Sequence, residues 1–285
     1  MKRLLLILVA ACMALGAAAD PVPRRVVSLI PAATEMIFAM GAGGRLIAVS
    51  SYDKFPPEAT KLPKVGALLD PDTERILSMR PDLVIAYGTQ AELRRGLERA
   101  GIPYYTYEHR AMPDIMATIR SIGARIGYAA QANALAASME QALAGVRTAV
   151  AGKRRPRTML VFERDRSSLQ NIYASGGYGF LADLLDTAGG DNVFSDLKQQ
   201  SVQASTEMIL ARRPDVIIEL RYGQSAKDSN PSRDLRAWDA LGSVPAVKAK
   251  QIHVLVGDEF VVPGPRIVDA ARRLAQILHP EGEAR

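Results

Sequence analysis

The sequence predicts an α/β protein of two lobes with central parallel sheets, joined by a single long α-helix. Two observations carry this prediction. Thr73–Ile85 (TERILSMRPDLVI) returns 133 residues later as Thr206–Ile218 (TEMILARRPDVII). Between the copies, Gln131–Val150 is a proline-free tract dominated by Ala, Leu, Met, Glu and Gln, a strongly helix-forming composition.

In each copy a polar residue, Asp72 or Ser205, stands at the helix N-cap position and a glutamate falls in the first turn. Ile-Leu then marks an apolar face. Arg-Pro ends the helix, because the residue before proline is pushed out of the α region. The Asp that follows opens an apolar run with the character of a buried parallel strand. A short helix feeding a buried strand is half of a βαβ unit, so two copies far apart imply two Rossmann-like lobes. The boundaries are 24–128 for the N-terminal lobe, 129–153 for the bridging helix and 154–282 for the C-terminal lobe. A single helix of roughly 20 residues, about 30 Å long, resists bending, so lobe motion is expected to be small.

The remaining elements follow from local chemistry. Arg25–Ile30 reads as a strand, Pro31 to Met40 as a helix and Leu46–Val49 as a second strand. Gly41–Gly44 follows a helix and precedes a strand. A phosphate-cradling loop needs the opposite order, so these glycines are a helix C-cap. The second half repeats the plan with a strand at Thr158–Phe162 and a helix at Gly179–Thr187. Ser175–Gly179 (SGGYG) stands at that helix's N-terminus but lacks the Gly-Lys-Ser/Thr ending of a P-loop, and it reads as a turn lining a cleft.

The first 19 residues have the shape of a secretory signal: Lys2 and Arg3, an apolar stretch from Leu4 to about Leu15, then small residues up to Ala19. Cleavage is expected after Ala19, and the apolar stretch is shorter than the ~20 residues a permanent span needs. Lipid anchoring at Cys12, the only cysteine, is the less favoured alternative, because cutting there would leave an unusually short signal. Cleavage would leave 266 residues, with no cysteine to form a disulfide or ligate a metal. Loss of Lys2 and Arg3 lowers the formal charge from +6 to +4. The basic residues are dispersed apart from Lys153–Arg157, a solvated linker end that does not make a nucleic-acid footprint.

Several further segments share a pattern: Val27–Glu35 (VSLIPAATE), Ser50–Pro57 (SSYDKFPP), Ala188–Phe194 (AGGDNVF), both repeat copies and Pro263–Arg266 (PGPR). In these the chain resembles the substrate-binding proteins of the helical-backbone class, which serve ABC importers of cobalamin, haem and iron-siderophores. Ser50–Pro57 is similar to the cobalamin-binding members in particular. The resemblance implies a corrinoid held in the cleft between the lobes, with haem or a ferric chelate as the alternative. Its contacts would be Pro31, Ala32, Tyr52, Leu68 and Tyr87 on the first lobe, and Tyr173, Asp258 and Phe260 on the second. Where the cobalamin binders carry tryptophans, this chain has Leu68 and about Ser201, and its only tryptophan, Trp238, lies elsewhere. The resemblance also implies a monomer in the periplasm that presents Glu74 and Glu207, one from each lobe, to an ABC importer permease dimer with its ATPase subunits. No resident cofactor and no catalytic residue are implied.

Haem binders of this class ligate iron through Tyr or His. His109 follows the apparent strand Ile102–Tyr107 and reads as a loop residue, while His253 on a strand and His279 at a frayed end read as structural. Three dispersed histidines do not make a zinc site. A secreted α/β hydrolase, the alternative of another class, would need Gly-x-Ser-x-Gly at a strand-to-helix elbow, and no such pentapeptide occurs.

Overall fold

The computed structural model describes residues 21–108, 111–223 and 234–280. The expectations for the signal segment, for Cys12 and for His109 lie outside these residues. In the N-terminal lobe, β1 (Val26–Ser28), β2 (Leu46–Val49), β3 (Leu83–Tyr87) and β4 (Tyr104–Tyr107) form a parallel sheet in the order β2-β1-β3-β4. Every strand lies parallel to its neighbours, with Val26 opposite Leu83 and Val84 opposite Tyr104. Both faces are covered. Helices α1 (Pro31–Ala39) and α4 (Met112–Arg125) pack on one side, and α2 (Thr73–Ser78) and α3 (Ala91–Arg99) on the other. Strands buried on both faces must be apolar throughout, which is why β3 reads LVIAY.

The bridging helix α5 runs Ala129–Val150. Its buried residues, Ala132, Ala136, Met139, Leu143, Val146 and Val150, recur every three or four positions, so they form one stripe along the helix. In the C-terminal lobe the strands are β5 (Arg157–Glu163), β6 (Tyr173–Ser175), β7 (Asp191–Asn192), β8 (Ser201–Gln203), β9 (Val216–Arg221) and β10 (Ile252–Val256). They form a sheet in the order β10-β9-β5-β6-β8, with β7 also pairing with β5. The parallel sheet expected here is present in β10, β9, β5 and β7, whereas β6 and β8 run antiparallel to their neighbours. The connection from β5 to β6 spans only residues 164–172. That is too short for the helical crossover a parallel partner requires.

Helices α6 (Phe180–Thr187) and α9 (Ile267–Leu278) cover one face of this sheet, while α7 (Thr206–Arg212), α8 (Pro245–Lys248) and the buried Trp238 lie on the other. The apolar stripe of α5 meets Ile115 and Ile119 of α4 as well as Leu184 of α6 and Leu274 of α9 within one continuous hydrophobic cluster. The two lobes therefore share a core and are not tethered by a free linker.

The internal repeat extends to individual atoms. Asp72 accepts from the Arg75 N–H at 3.0 Å, and Ser205 from the Met208 N–H at 3.2 Å. Arg80 and Arg213, each before its proline, both adopt left-handed backbone conformations with φ of 46° and 49°. Asp82 accepts from the Arg25 N–H at 2.8 Å and Asp215 from the Arg157 N–H at 3.2 Å. The Arg25 side chain in turn donates to the Met79 carbonyl, and that of Arg157 to the equivalent Arg212 carbonyl. Each copy thus fastens its helix end to the first strand of its own lobe.

Candidate functional site

A cleft of about 690 Å³ lies between the lobes. Its walls come from residues that follow the C-terminal ends of strands in both sheets, the position where open α/β sheets present ligand-binding loops. After β1, Pro31 starts α1 with its ring at the first helical position, where the missing N–H costs nothing. After β2 come Ser51, Tyr52 and Lys54, and Tyr52 is 67 % exposed. Across the cleft, Phe162 and Glu163 end β5 and Arg164 and Arg166 follow it. Glu219 to Arg221 end β9, Tyr222 and Gly223 follow, and Asp258 stands just after β10. Lys54 reaches across to Asp258 at 3.9 Å, and Asp258 also accepts from the Gly223 N–H at 3.0 Å. Both side chains of the Lys54 pair are partly exposed, so the pair is weak.

The floor of the second lobe is a buried polar network. Glu219, 1 % exposed, accepts from Arg164 Nε at 2.5 Å, from the Trp238 indole N–H at 2.6 Å and from Arg221. The other Arg164 nitrogens donate to the carbonyls of Asp165, Arg166, Ser168 and Asp234. Its guanidinium also lies 5.6 Å from the Trp238 ring centre. A buried charge is tolerated only when paired and hydrogen-bonded, and this network meets that requirement at Glu219 and Arg164. It ties the ends of β5 and β9 to Trp238 and to the Asp234 carbonyl beneath the cleft.

The expected site residues are distributed unevenly. Pro31, Tyr52 and Asp258 line the cleft. Ala32 and Phe260 do not face it. Ala32 is 2 % exposed and Phe260 is fully buried, under the Arg273 guanidinium at 4.8 Å. The chain turns through a short 3-10 helix at Asp258–Phe260, which turns Phe260 inward while Asp258 stays on the wall. Tyr87 ends β3 half-buried and edge-on to Tyr107, with ring centres 5.5 Å apart. Burial pushes the Tyr87 hydroxyl above its ordinary pKa. Tyr173 packs against Phe162 at 6.4 Å. Leu68 is 41 % exposed on the turn between Gly66 and Pro71, whose carbonyls at Ala67 and Leu68 accept from the buried Gln90 amide. Tyr173, Tyr87 and Leu68 are not among the residues that wall the cleft.

Glu74 and Glu207 are exposed in the first turns of α2 and α7. Local hydrogen bonds from its own helix end hold the Glu207 carboxyl below its usual range. His253 sits on β10 with a ring nitrogen 2.9 Å from Gln251 Oε1. His279, expected at a frayed end, is buried against Gly189, and burial lowers its pKa. Among the described residues no group of three or more His, Cys, Asp or Glu could hold a metal ion, and no helix is long and apolar enough to cross a membrane.

The sequence reading missed Lys54, Arg164, Arg166, Glu219 and Arg221. A signal for them existed. The segments Phe162–Arg166 (FERDR) and Glu219–Tyr222 (ELRY) place charged residues directly after apolar strand runs, where a parallel strand delivers its next side chains to the ligand-facing edge.

The sequence profile of the periplasmic binding protein family matches residues 26–258. A vitamin B12-binding protein of Pectobacterium atrosepticum is 30 % identical over 264 residues, covering 92 % of this chain and 90 % of that one. The crystal structure of a periplasmic vitamin B12 binding protein of Vibrio cholerae is 27 % identical, covers 90 % of this chain and 96 % of that one, and superposes with a TM-score of 0.74. A periplasmic heme-binding protein from Roseiflexus sp. RS-1, solved in its apo form, is 25 % identical, with 90 % and 99 % coverage and a TM-score of 0.76. Two lobes around a walled cleft, with this family match spanning both of them, show that the chain belongs to the periplasmic binding protein family and is a substrate-binding protein, not an enzyme.

Proposed function

We propose that this protein captures a corrinoid, cobalamin or a related cobamide, in the interlobe cleft and delivers it to an ABC importer. The observation that carries the reading is the cleft itself: about 690 Å³, open, and walled by Tyr52 from one lobe and Phe162 and Tyr222 from the other. Its volume lies within the range of ~300–1,000 Å³ found for small-molecule sites. Aromatic walls with polar tips suit a large flat ligand edged with amides. The relatives named above as vitamin B12-binding proteins support the same ligand class. The chain would act in the periplasm after removal of residues 1–19.

Titration of the mature protein with cyanocobalamin, haemin and a ferric siderophore, followed by calorimetry and by Trp238 fluorescence, tests the reading. Trp238 is a suitable reporter because its indole N–H bonds to Glu219 on the cleft floor. Saturable 1:1 binding of cyanocobalamin, tighter than that of haemin or siderophore, is expected. Preference for either of the others refutes the corrinoid assignment. One observation favours that second reading: Lys54, with its side chain 52 % exposed on the cleft wall, is placed to meet a carboxylate of haem or of a ferric chelate.

Delivery would use Glu74 and Glu207. They stand at equivalent positions of the repeat, exposed, one on each lobe, and a two-lobed presentation matches a two-subunit permease. Charge-assisted contacts with arginines would fix orientation and steer encounter. The double variant Glu74→Arg, Glu207→Arg is expected to keep its ligand affinity and to lose transporter binding and uptake. Normal uptake by this folded variant rules the docking role out, leaving the two glutamates to complement their helix dipoles.

A further inference from the structure

Leu69 is 93 % exposed, more than any other large apolar side chain among the described residues, and Leu68 beside it is 41 % exposed. The two form the tip of the turn closed by the Gly66–Pro71 bridge, and neither walls the cleft. A single exposed leucine needs no special explanation. This one stands on a turn that the fold holds firmly in place.

The Ala67 N–H donates to the Asp70 carbonyl at 3.4 Å and the Asp72 N–H to that of Val65 at 3.1 Å, which closes the turn. The Gly66 carbonyl accepts from the Ser51 N–H at 2.8 Å. Buried Gln90 donates its side-chain amide to the carbonyls of Ala67 and Leu68 and accepts from the Tyr87 N–H. Gly66 itself has φ of 81°, and a Cβ there would lie 2.2 Å from the Asp70 carbonyl oxygen, so the turn requires glycine. None of these bonds uses the Leu69 side chain, and its exposure is not the by-product of a folding role.

The tip is also fixed relative to Glu74. Asp72 closes the turn through its N–H and caps α2 by accepting from the Arg75 N–H at 3.0 Å, and Glu74 stands in the first turn of that helix. Apolar tip and carboxylate therefore belong to one rigid piece. The second lobe has no counterpart, since the 133-residue repeat places Val202 at the position of Leu69, and Val202 is buried in β8.

We propose that the Leu68–Leu69 tip is an apolar anchor through which the N-terminal lobe seats on the permease of an ABC importer, with Leu69 entering a hydrophobic recess beside the cation that pairs with Glu74. The inference rests on the docking reading of Glu74 and Glu207 and adds to it a contact of different chemistry. Charged contacts steer and orient, and they fade with salt. A buried leucine supplies affinity that salt leaves in place. Because one lobe alone carries the anchor, a twofold permease would fill one of its two equivalent recesses.

The test measures binding of the mature protein to its purified importer in nanodiscs, at about 50 and about 500 mM salt, concentrations on either side of effective screening. The proteins are the parent, Leu69→Ser, Leu69→Met and the double variant Glu74→Arg, Glu207→Arg. Calorimetry with cyanocobalamin, melting temperatures and size-exclusion chromatography accompany it. Leu69→Ser should bind the importer about ten-fold or more weakly at both salt concentrations, the worth of burying one leucine side chain. Leu69→Met should bind nearly as the parent does, and the loss in the double variant should shrink at the higher salt. Cyanocobalamin affinity and melting temperature should not change in Leu69→Ser. Unaltered importer binding by Leu69→Ser overturns the anchor. An equal loss of cyanocobalamin affinity overturns it by making Leu69 a ligand contact, and conversion of a parent dimer to monomer overturns it by assigning the tip to a second copy. Normal importer binding by the double glutamate variant, with a loss in Leu69→Ser, overturns the docking role of the glutamates and leaves the anchor standing.

Discussion

Arg266 of the C-terminal lobe grips Glu35 of the N-terminal lobe through both carboxylate oxygens, at 2.5 and 2.9 Å, across 231 residues of sequence. The same guanidinium lies 4.3 Å from the ring centre of Phe55, on the loop that also carries Tyr52. Glu259 and Arg273 extend the network behind it. One arginine thus fastens the second lobe to the first lobe's leading helix and to its ligand-facing loop. Bidentate geometry of this kind suits arginine and not lysine.

Arg266→Met should destabilise the protein by about 3 kcal/mol, the lower end of the range for stranding a buried partner, because Arg266 keeps 21 % of its side chain exposed while Glu35 keeps 3 %. Burial already outweighs the pairing at Glu35 and raises its pKa, so the stranded carboxyl would be poorly tolerated. The urea midpoint measures the loss. The double variant Glu35→Leu, Arg266→Met should recover most of it, and no recovery would show that the effect is not electrostatic.

Asp53 is 2 % exposed, and burial pushes its pKa up to about 6 against the opposing pull of Thr34 and Lys64. The folded state therefore holds a proton that the unfolded chain releases near its ordinary 3.8. Stability from this group is complete below about pH 4 and is lost as the pH rises to about 6. Asp53→Asn, which cannot ionise, should be more stable than the parent at pH 7.5 by up to about 3 kcal/mol, from two units at 1.36 kcal/mol each. That advantage should shrink as the pH falls from 6 to 4. Denaturation midpoints that differ by the same amount at pH 4 and pH 7.5 would show that Asp53 does not titrate in this window.

Tyr52 is largely exposed on the cleft wall, so little folding energy depends on it. Tyr52→Ala should weaken ligand binding by about 1–3 kcal/mol and leave the melting temperature of the unliganded protein unchanged. An unaltered dissociation constant would remove Tyr52 from the site.

Lobe motion should amount to a few degrees. Hinge opening would break backbone hydrogen bonds of α5 or split the core that Leu143 and Val146 share with both lobes. Small-angle scattering before and after loading should give nearly the same radius of gyration, and a large compaction would contradict the rigid bridge.

Neighbours along the chain settle much of this fold. The duplicated segment gave the two lobes, Asp72 and Ser205 gave the helix starts, Pro81 and Pro214 gave their ends, and the Ala-rich tract gave the bridge. These features follow from caps, steric exclusion and periodicity, all of which act within a few residues. The antiparallel β6–β8 edge escaped notice, because strand direction depended on the length of a connection whose next strand is only three residues long. Which polar groups converge was settled by long-range packing. Arg164 and Glu219 are 55 residues apart and Glu35 and Arg266 are 231 apart, and no local pattern couples such distances. It also decided direction. Tyr52 faces solvent while Asp53 beside it is buried, and Asp258 lines the cleft while Phe260 two residues later fills the core. At loops after strands, the alternation that makes strands legible no longer applies, and only packing against distant elements selects which side chain turns outward.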